Sequence, residues 1–138
     1  MKFYKRKTPK SKTLTLENNF TVGTAGGGTG NITIQSTGGI VVSGNRTITL
    51  AGNWSNSGSF TSSVGAVLFN GTAAQTISGS EVTTFYDVNV TNSSASGLTI
   101  SSPTPGKAIY KSDITVDGTL PGGLIVGPGT GYWDDGTP

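Results

Sequence analysis

The sequence contains no cysteine and no histidine, and these two absences exclude whole classes of chemistry. Without cysteine the chain has no disulfide framework and no thiolate to act as nucleophile or metal ligand. Without histidine it lacks the side chain that proteins use most often as a general base and as a transition-metal ligand. Cysteine- or histidine-dependent catalysis and the usual zinc sites are therefore excluded.

Charged and apolar residues are also scarce. Charged residues make up 12% of the chain, roughly half of the usual share of about 25%. Hydrophobic residues make up 33%, below the usual range of about 45–50%. Glycine supplies 22 of the 138 residues. Since disordered chains are typically charged and poor in β-branched residues, this composition instead favours one thin β domain with many turns.

Long apolar runs are missing as well. No stretch approaches the roughly 18 apolar residues that a membrane-spanning helix needs, so we expect no membrane span. The opening residues, MKFYKRKTPKSK, resemble the charged start of a signal peptide, but no apolar segment follows them. We expect either that export uses another route or that the sequence is a fragment.

The stretch from Leu50 to Asn92 contains a series of short segments rich in β-forming residues, each followed by Gly, Asn or Ser. The apolar segment 67–69 is followed by Asn70–Gly71, which is a strong turn signal. In the same way, the β-forming segment 76–78 is followed by Gly79. Residues 85–91 alternate between apolar and polar, which predicts a strand with one buried face carrying Tyr86, Val88 and Val90.

Three phrases in this stretch, GNWSNSGSF, AVLFNGTAAQTISGS and TTFYDVNVTNSS, resemble a repeat of large bacterial surface and secreted proteins, especially those of the Bacteroidetes type. The resemblance covers residues 47–100 well and the flanks loosely. It implies an extracellular β-solenoid or adhesin-like stalk, and it supplies no catalytic residues.

The spacing of apolar pairs bears on the fold without reference to that resemblance. The pairs begin about eight to ten residues apart, or about twice that, at Leu14, Ile32, Ile40, Ile48, Val67, Val88, Leu98, Ile114 and Leu124. A β-solenoid with coils of about twenty residues gives this spacing. An antiparallel β-sandwich gives it too. We predict an all-β chain with almost no helix, a parallel β-helix-like solenoid, with the sandwich as the alternative.

Charge divides the chain into a basic N-terminal arm, residues 1–12, and a single β domain, residues 13–138. The arm carries six Lys or Arg and no acid, whereas the remainder carries three bases and seven acids. Such an arm either is a solvated tail or binds an acidic partner surface. We predict that it docks on a neighbouring subunit, with assembly contacts from Phe3, Tyr4, Lys5, Arg6 and Lys7.

The C-terminal end places two aromatic residues, Tyr132 and Trp133, beside Asp134 and Asp135. An exposed aromatic pair can stack on a sugar, and the aspartates with Asp117 could hold Ca²⁺. The alternative interpretation, which we adopt, is a terminal cap or an anchor in a neighbour's groove. Tyr132 and Trp133 therefore complete the predicted assembly residues, and we predict no cofactor and no metal site.

Enzymes built on β-helices need clustered acids and bases on one face. The only close pair of acids in a β-type region is Asp113 with Asp117, and one such pair is not the cluster that these enzymes need. We therefore expect no enzymatic activity and no nucleic-acid partner. The predicted function is an extracellular or cell-surface structural protein that assembles head to tail into a filament or layer. The alternative is an adhesin or carbohydrate-binding module that recognises surface glycans.

Overall fold

A computed structural model of the chain describes residues 10–23 and 30–100, and beyond them the backbone of three more strands. All the regular structure in these residues is β, and none of it is helix. The strands are β1 (Lys12–Leu16), β2 (Phe20–Val22), β3 (Ile32–Ile34), β4 (Gly38–Val42), β5 (Thr47–Leu50), β6 (Trp54–Asn56), β7 (Ser59–Thr61), β8 (Ala66–Phe69), β9 (Gln75–Ser78), β10 (Thr83–Val90), β11 (Leu98–Ile100), β12 (Lys107–Val116), β13 (Gly123–Gly127) and β14 (Thr130–Asp134).

The strands form a β-solenoid of about four turns. Sheet A has the order β1-β4-β7, sheet C has the order β11-β9-β6-β3, and sheet B has the order β13-β14-β12-β10-β8-β5-β2. Among the strands that the structure describes, every pairing between the coils is parallel, and only β14 runs antiparallel to its neighbours, β12 and β13. The solenoid prediction is therefore confirmed.

The predicted apolar pairs lie beside one another on successive coils. Ile48 is in register with Val67, and Val67 with Val88, so these steps are 19 and 21 residues long. Leu50, Phe69 and Val90 form the neighbouring ladder. All six side chains are buried, none with more than 1% of its surface exposed. Because parallel strands place equivalent residues side by side, a coil of about twenty residues stacks its apolar pair on the previous one.

Four aromatic rings meet edge to face in the core. The rings of Trp54 and Phe85 are 5.3 Å apart, and those of Phe69 and Phe85 are 6.0 Å apart. Phe60 contacts Trp54 at 4.8 Å. The indole nitrogen of the buried Trp54 donates a hydrogen bond of 3.0 Å to the Thr83 hydroxyl. The only polar atom of this indole is thereby satisfied inside an apolar core.

The buried amide side chains of Gln75 and Asn92 form hydrogen bonds that link the corners between sheets B and C. Gln75 donates from Nε2 to the carbonyl oxygens of Leu50 (2.9 Å) and Gly52 (2.6 Å). Its Oε1 accepts from the backbone nitrogen of Gly71 (2.9 Å) and from Nδ2 of Asn92 (2.8 Å). Both amides are fully buried. One side chain thus links the corners of three coils, in addition to backbone bonds such as that from the Asn70 nitrogen to the Leu50 oxygen.

One sequence prediction is wrong in detail. Tyr86 was expected on the buried face with Val88 and Val90, but it is only partly buried, whereas Phe85 is fully buried. The alternation breaks between the half of β10 that contacts β7 and the half that pairs with β8. The register with β12 also shifts here, with the extra residue in β12, since Phe85 and Asp87 are in register with Tyr110 and Asp113.

Candidate assembly surface

The first coil leaves three strand edges without a partner. β1, β2 and β3 each lie at the end of a different sheet, A, B and C respectively. In residues 10–23 and 30–100 and the three C-terminal strands, nothing pairs with the outer side of these strands. We call the three outer edges together the open end. Unpaired strand edges are templates for pairing with another chain, and natural proteins usually cover or charge them.

Hydrogen bonds to the second coil show which backbone groups face outward. In β1, the nitrogen of Lys12 and the carbonyl oxygen of Leu16 bond to the β4 side. Backbone groups alternate in direction along a strand, so those of Thr13 and Thr15 point away from β4. The same argument, from the bonds of Val22, Ile32 and Ile34 to the second coil, assigns Thr21 and Thr33 to the outer edges of β2 and β3.

Core-facing side chains are also uncovered at the open end. Phe20 is in register with Ile48, yet 41% of Phe20 is exposed and only 1% of Ile48. Leu14, in register with Ile40, is 52% exposed. Leu14 and Phe20 therefore continue the apolar ladders of the core but are exposed at the end of the solenoid, because no described coil covers them.

A groove of about 480 Å³ runs along this end. It lies between β1, the last residues of β3 and the start of β4. Its apolar lining comes from Leu14, Ile34 and Ile40, and polar groups of Lys12 and Gln35 stand at its border. The groove therefore has the composition of an unfinished section of core and contains no set of converging catalytic groups.

Comparison of the chain with protein-family models, curated proteins and solved structures gave no match. The surface therefore has to be interpreted from its own geometry. The described residues also contain no helix long and apolar enough to cross a membrane.

The sequence-predicted assembly residues fall in two places. Phe3, Tyr4, Lys5, Arg6 and Lys7 lie outside the described residues, and β1 begins at Lys12, the last residue of the predicted arm. Tyr132 and Trp133 lie in β14, which pairs with β12 on one side and β13 on the other. The sheet order puts β14 at the opposite end of the solenoid from the first coil.

The exposure of Leu14 and Phe20 was not predicted from the sequence. Leu14 was predicted to begin an apolar pair, and alternation within a strand does not reveal which coil is the first. The available signal was position, because both residues lie shortly after the basic arm.

The side chains described contain no group of three or more His, Cys, Asp or Glu residues close enough to hold a metal ion. Asp113 lies in β12 in register with Asp87, while Asp117 is outside the described residues. The surface with the clearest physical consequence is therefore the open end.

Proposed function

We propose that the protein is a non-enzymatic structural subunit that assembles end to end with further copies into a filament or surface layer. The observation that carries the proposal is the open end, where three strand edges and two core-facing apolar side chains are uncovered together. A second copy placed there continues both the hydrogen-bond ladders and the core. A structure made of stacked coils gains stability from each neighbour added.

The apolar contribution can be bounded from the exposed fractions. Complete burial of a Leu or Phe side chain contributes about 1.5–3 kcal/mol. Leu14 and Phe20 are 52% and 41% exposed, so covering both supplies about 2 kcal/mol on that scale. This is less than the cost of association, about 4–15 kcal/mol. Strand pairing and charge must therefore contribute, and assembly should depend strongly on protein concentration.

Charge supports a head-to-tail arrangement. Residues 1–16 carry six Lys or Arg and no acid, whereas residues 107–138, from the start of β12 onward, carry two Lys and four Asp. The two ends of the chain thus have net charges of opposite sign, which favours contact between unlike ends and disfavours contact between like ends. Each exposed ion pair contributes at most about 1 kcal/mol, so the aromatic residues Phe3, Tyr4, Tyr132 and Trp133 belong to the proposal as additional apolar contacts.

We place this assembly outside the cell or at its surface. The support is the resemblance of residues 47–100 to bacterial surface repeats and a polar surface made largely of hydroxyl and amide groups. Recognition of surface glycans is the alternative, and binding of the monomer to a glycan array, without assembly, would favour it.

The test compares two double variants over a range of protein concentrations. L14S/F20S removes the exposed apolar groups of the open end, and V64S/V82S removes two residues of similar exposure, 45% and 39%, from the middle of the solenoid. A loss of about 2 kcal/mol raises the concentration needed for assembly roughly 30-fold.

Sedimentation and electron microscopy measure that concentration. We expect filaments or layers of the wild type, the 30-fold shift for L14S/F20S and no shift for V64S/V82S. Deletion of residues 1–9, which leaves β1 intact, should weaken assembly and reduce its dependence on salt. A wild-type chain that stays monomeric at high concentration contradicts the proposal, and so do equal shifts for the two double variants.

A further inference from the structure

The far end of the solenoid is built mainly on one of its faces. β10 is eight residues long, and only its second half, Asp87–Val90, pairs with β8 of sheet B. Its first half, Thr83–Phe85, pairs with β12 alone and contacts β7 of sheet A, where the rings of Phe60 and Phe85 are 5.7 Å apart. The first half of β10 thus continues the face that holds sheet A.

The C-terminal hairpin is attached to that same half. β14 pairs with residues Lys107–Tyr110 of β12, and Ala108–Tyr110 are the residues in register with Thr83–Phe85. β13 then pairs with the other side of β14. Along this face the order of strands is therefore β1, β4, β7, the first half of β10, the first part of β12, β14 and β13. β1 is the edge at one end, and β13 is the edge at the other.

The strand at the far edge, β13, runs in the same direction as the strands of the coils. β14 runs antiparallel to β12, and β13 runs antiparallel to β14, so β13 runs in the same direction as β12 and β10. Successive coils wind in one sense, so β1 has that direction too. A second copy related by translation along the solenoid axis therefore brings β13 and β1 together as parallel strands, the pairing used between all the coils.

The outward backbone groups of the two edges also match. Gly127 pairs with Thr130 across only two residues, so this pair is hydrogen-bonded. By alternation, the backbone groups of Leu124 and Val126 point away from β14. On β1 the outward groups belong to Thr13 and Thr15, as shown above. Each edge strand therefore has outward backbone groups at two positions that are two residues apart, and the spacing is the same on β13 and β1.

We propose that β13 of one copy adds to β1 of the next as a parallel strand, with Thr15 beside Ile125. This inference rests on the proposed function and names the contact by which assembly occurs. In this register Thr13 lies beside Gly123, and the exposed Leu14 lies beside Leu124. β13, with the sequence GLIVG, carries no charge that would blunt its edge.

The register also brings opposite charges to one side of the contact. Asp134 is paired with Gly123 within one copy, so Thr13 of the next copy falls on the same ladder as Asp134. Lys12 precedes Thr13, so it lies one residue from the ladder that contains Asp134, with β13 between the two strands. Lys12 and Asp134 are thus near the same side of the contact, while Lys107 of β12 is in register with Asp134 on the opposite side of β14.

Engineered thiols test the contact, because the natural chain contains no cysteine. T15C/I125C places one thiol on each strand of the proposed pair, and neighbouring residues on adjacent strands are within the Cα distance that a disulfide spans. T33C/I125C is the matched control, since Thr33 is also an exposed, outward-facing threonine of the first coil, but on β3. Preformed assemblies are oxidised and run on a non-reducing denaturing gel.

We expect a covalent ladder of dimers, trimers and higher multimers from T15C/I125C and at least tenfold less from T33C/I125C. T15P, which removes the outward N–H of Thr15, should weaken assembly far more than T33P, which removes the corresponding N–H at the edge of β3. Assemblies that form normally but give no ladder, or equal ladders for both cysteine pairs, overturn this contact and leave the proposed function intact. Failure of the wild type to assemble overturns both.

Discussion

Replacing Gln75 with leucine isolates the contribution of the buried corner network. The substitution approximately preserves volume but removes all four hydrogen bonds of the side chain. The Leu50 oxygen still accepts from the nitrogen of Asn70, and Asn92 still donates to Ala73. The nitrogen of Gly71 and the oxygen of Gly52 lose their partner. Leaving a buried polar group unsatisfied costs about 1–3 kcal/mol, so we expect Q75L to lose about 2–4 kcal/mol of stability.

Glutamate at the same position makes the network titratable. A protonated carboxyl can accept from the nitrogen of Gly71 and donate to the oxygen of Gly52, as the amide does. An ionised carboxylate has no donor and is desolvated, which raises the pKa of the carboxyl in the folded state. The folded state then binds more protons than the unfolded state. Stability of Q75E should therefore be near that of the wild type below the unfolded pKa of about 4.3 and be lost progressively as pH rises.

The measurement is urea unfolding at a series of pH values, followed by circular dichroism and by the fluorescence of the fully buried Trp54. The wild type and Q75L serve as references because position 75 does not titrate in either. A Q75L stability within 1 kcal/mol of the wild type, or a Q75E stability that follows the wild type across pH, refutes the role assigned to this side chain.

Two further predictions concern corner residues. Gly79 has a φ of +119°, and an added Cβ would collide with the backbone of Asn56, whereas Gly44 has a φ of +68° with open space around it. G44A should lower the free energy of unfolding by about 1–2 kcal/mol from backbone strain alone. G79A should lower it at least twice as much, as measured by urea unfolding. Equal losses for the two variants would show that the collision is relieved. Asn70–Gly71 is a deamidation-prone pair, in which the Gly71 nitrogen attacks the Asn70 side chain and ammonia leaves. Because that nitrogen is held by Gln75 at 2.9 Å, peptide mass spectrometry should find slower deamidation in the folded wild type than in Q75L, and equal rates would contradict the argument.

The solenoid could be predicted from the sequence because it repeats one pattern, although the spacing alone also fitted a sandwich. Ile48 and Leu50 alternate with threonines, the pattern recurs after about one coil at Val67 and Phe69, and equivalent residues stack in parallel. Alternation was not sufficient for β10, where Phe85 and Val88 are both buried although they are three residues apart. The two halves of β10 lie on different faces of the solenoid, the first against β7 and the second paired with β8, and the local pattern does not mark that change.

Polar residues of the core were harder to predict for a related reason. Gln75 and Asn92 have no apolar character, and they are buried because corner groups of neighbouring coils converge on them. Those contacts depend on the stacking of several coils. The open end was equally hidden, since Leu14 and Phe20 carry the same pattern as Ile48. Only the absence of a described coil before them makes them exposed.

The direction of the hydrogen bonds between coils determines how the solenoid carries force. Strands run around the axis, so the bonds that join one coil to the next point along it. Tension along the axis therefore loads short ladders, such as the three residue pairs between β2 and β5, with the covalent backbone continuing only at the connecting corners. Under such a pull coils should peel away one at a time, beginning at a terminal coil, and each detached coil releases about twenty residues of slack. Such a fibre would yield in steps and absorb energy at each one.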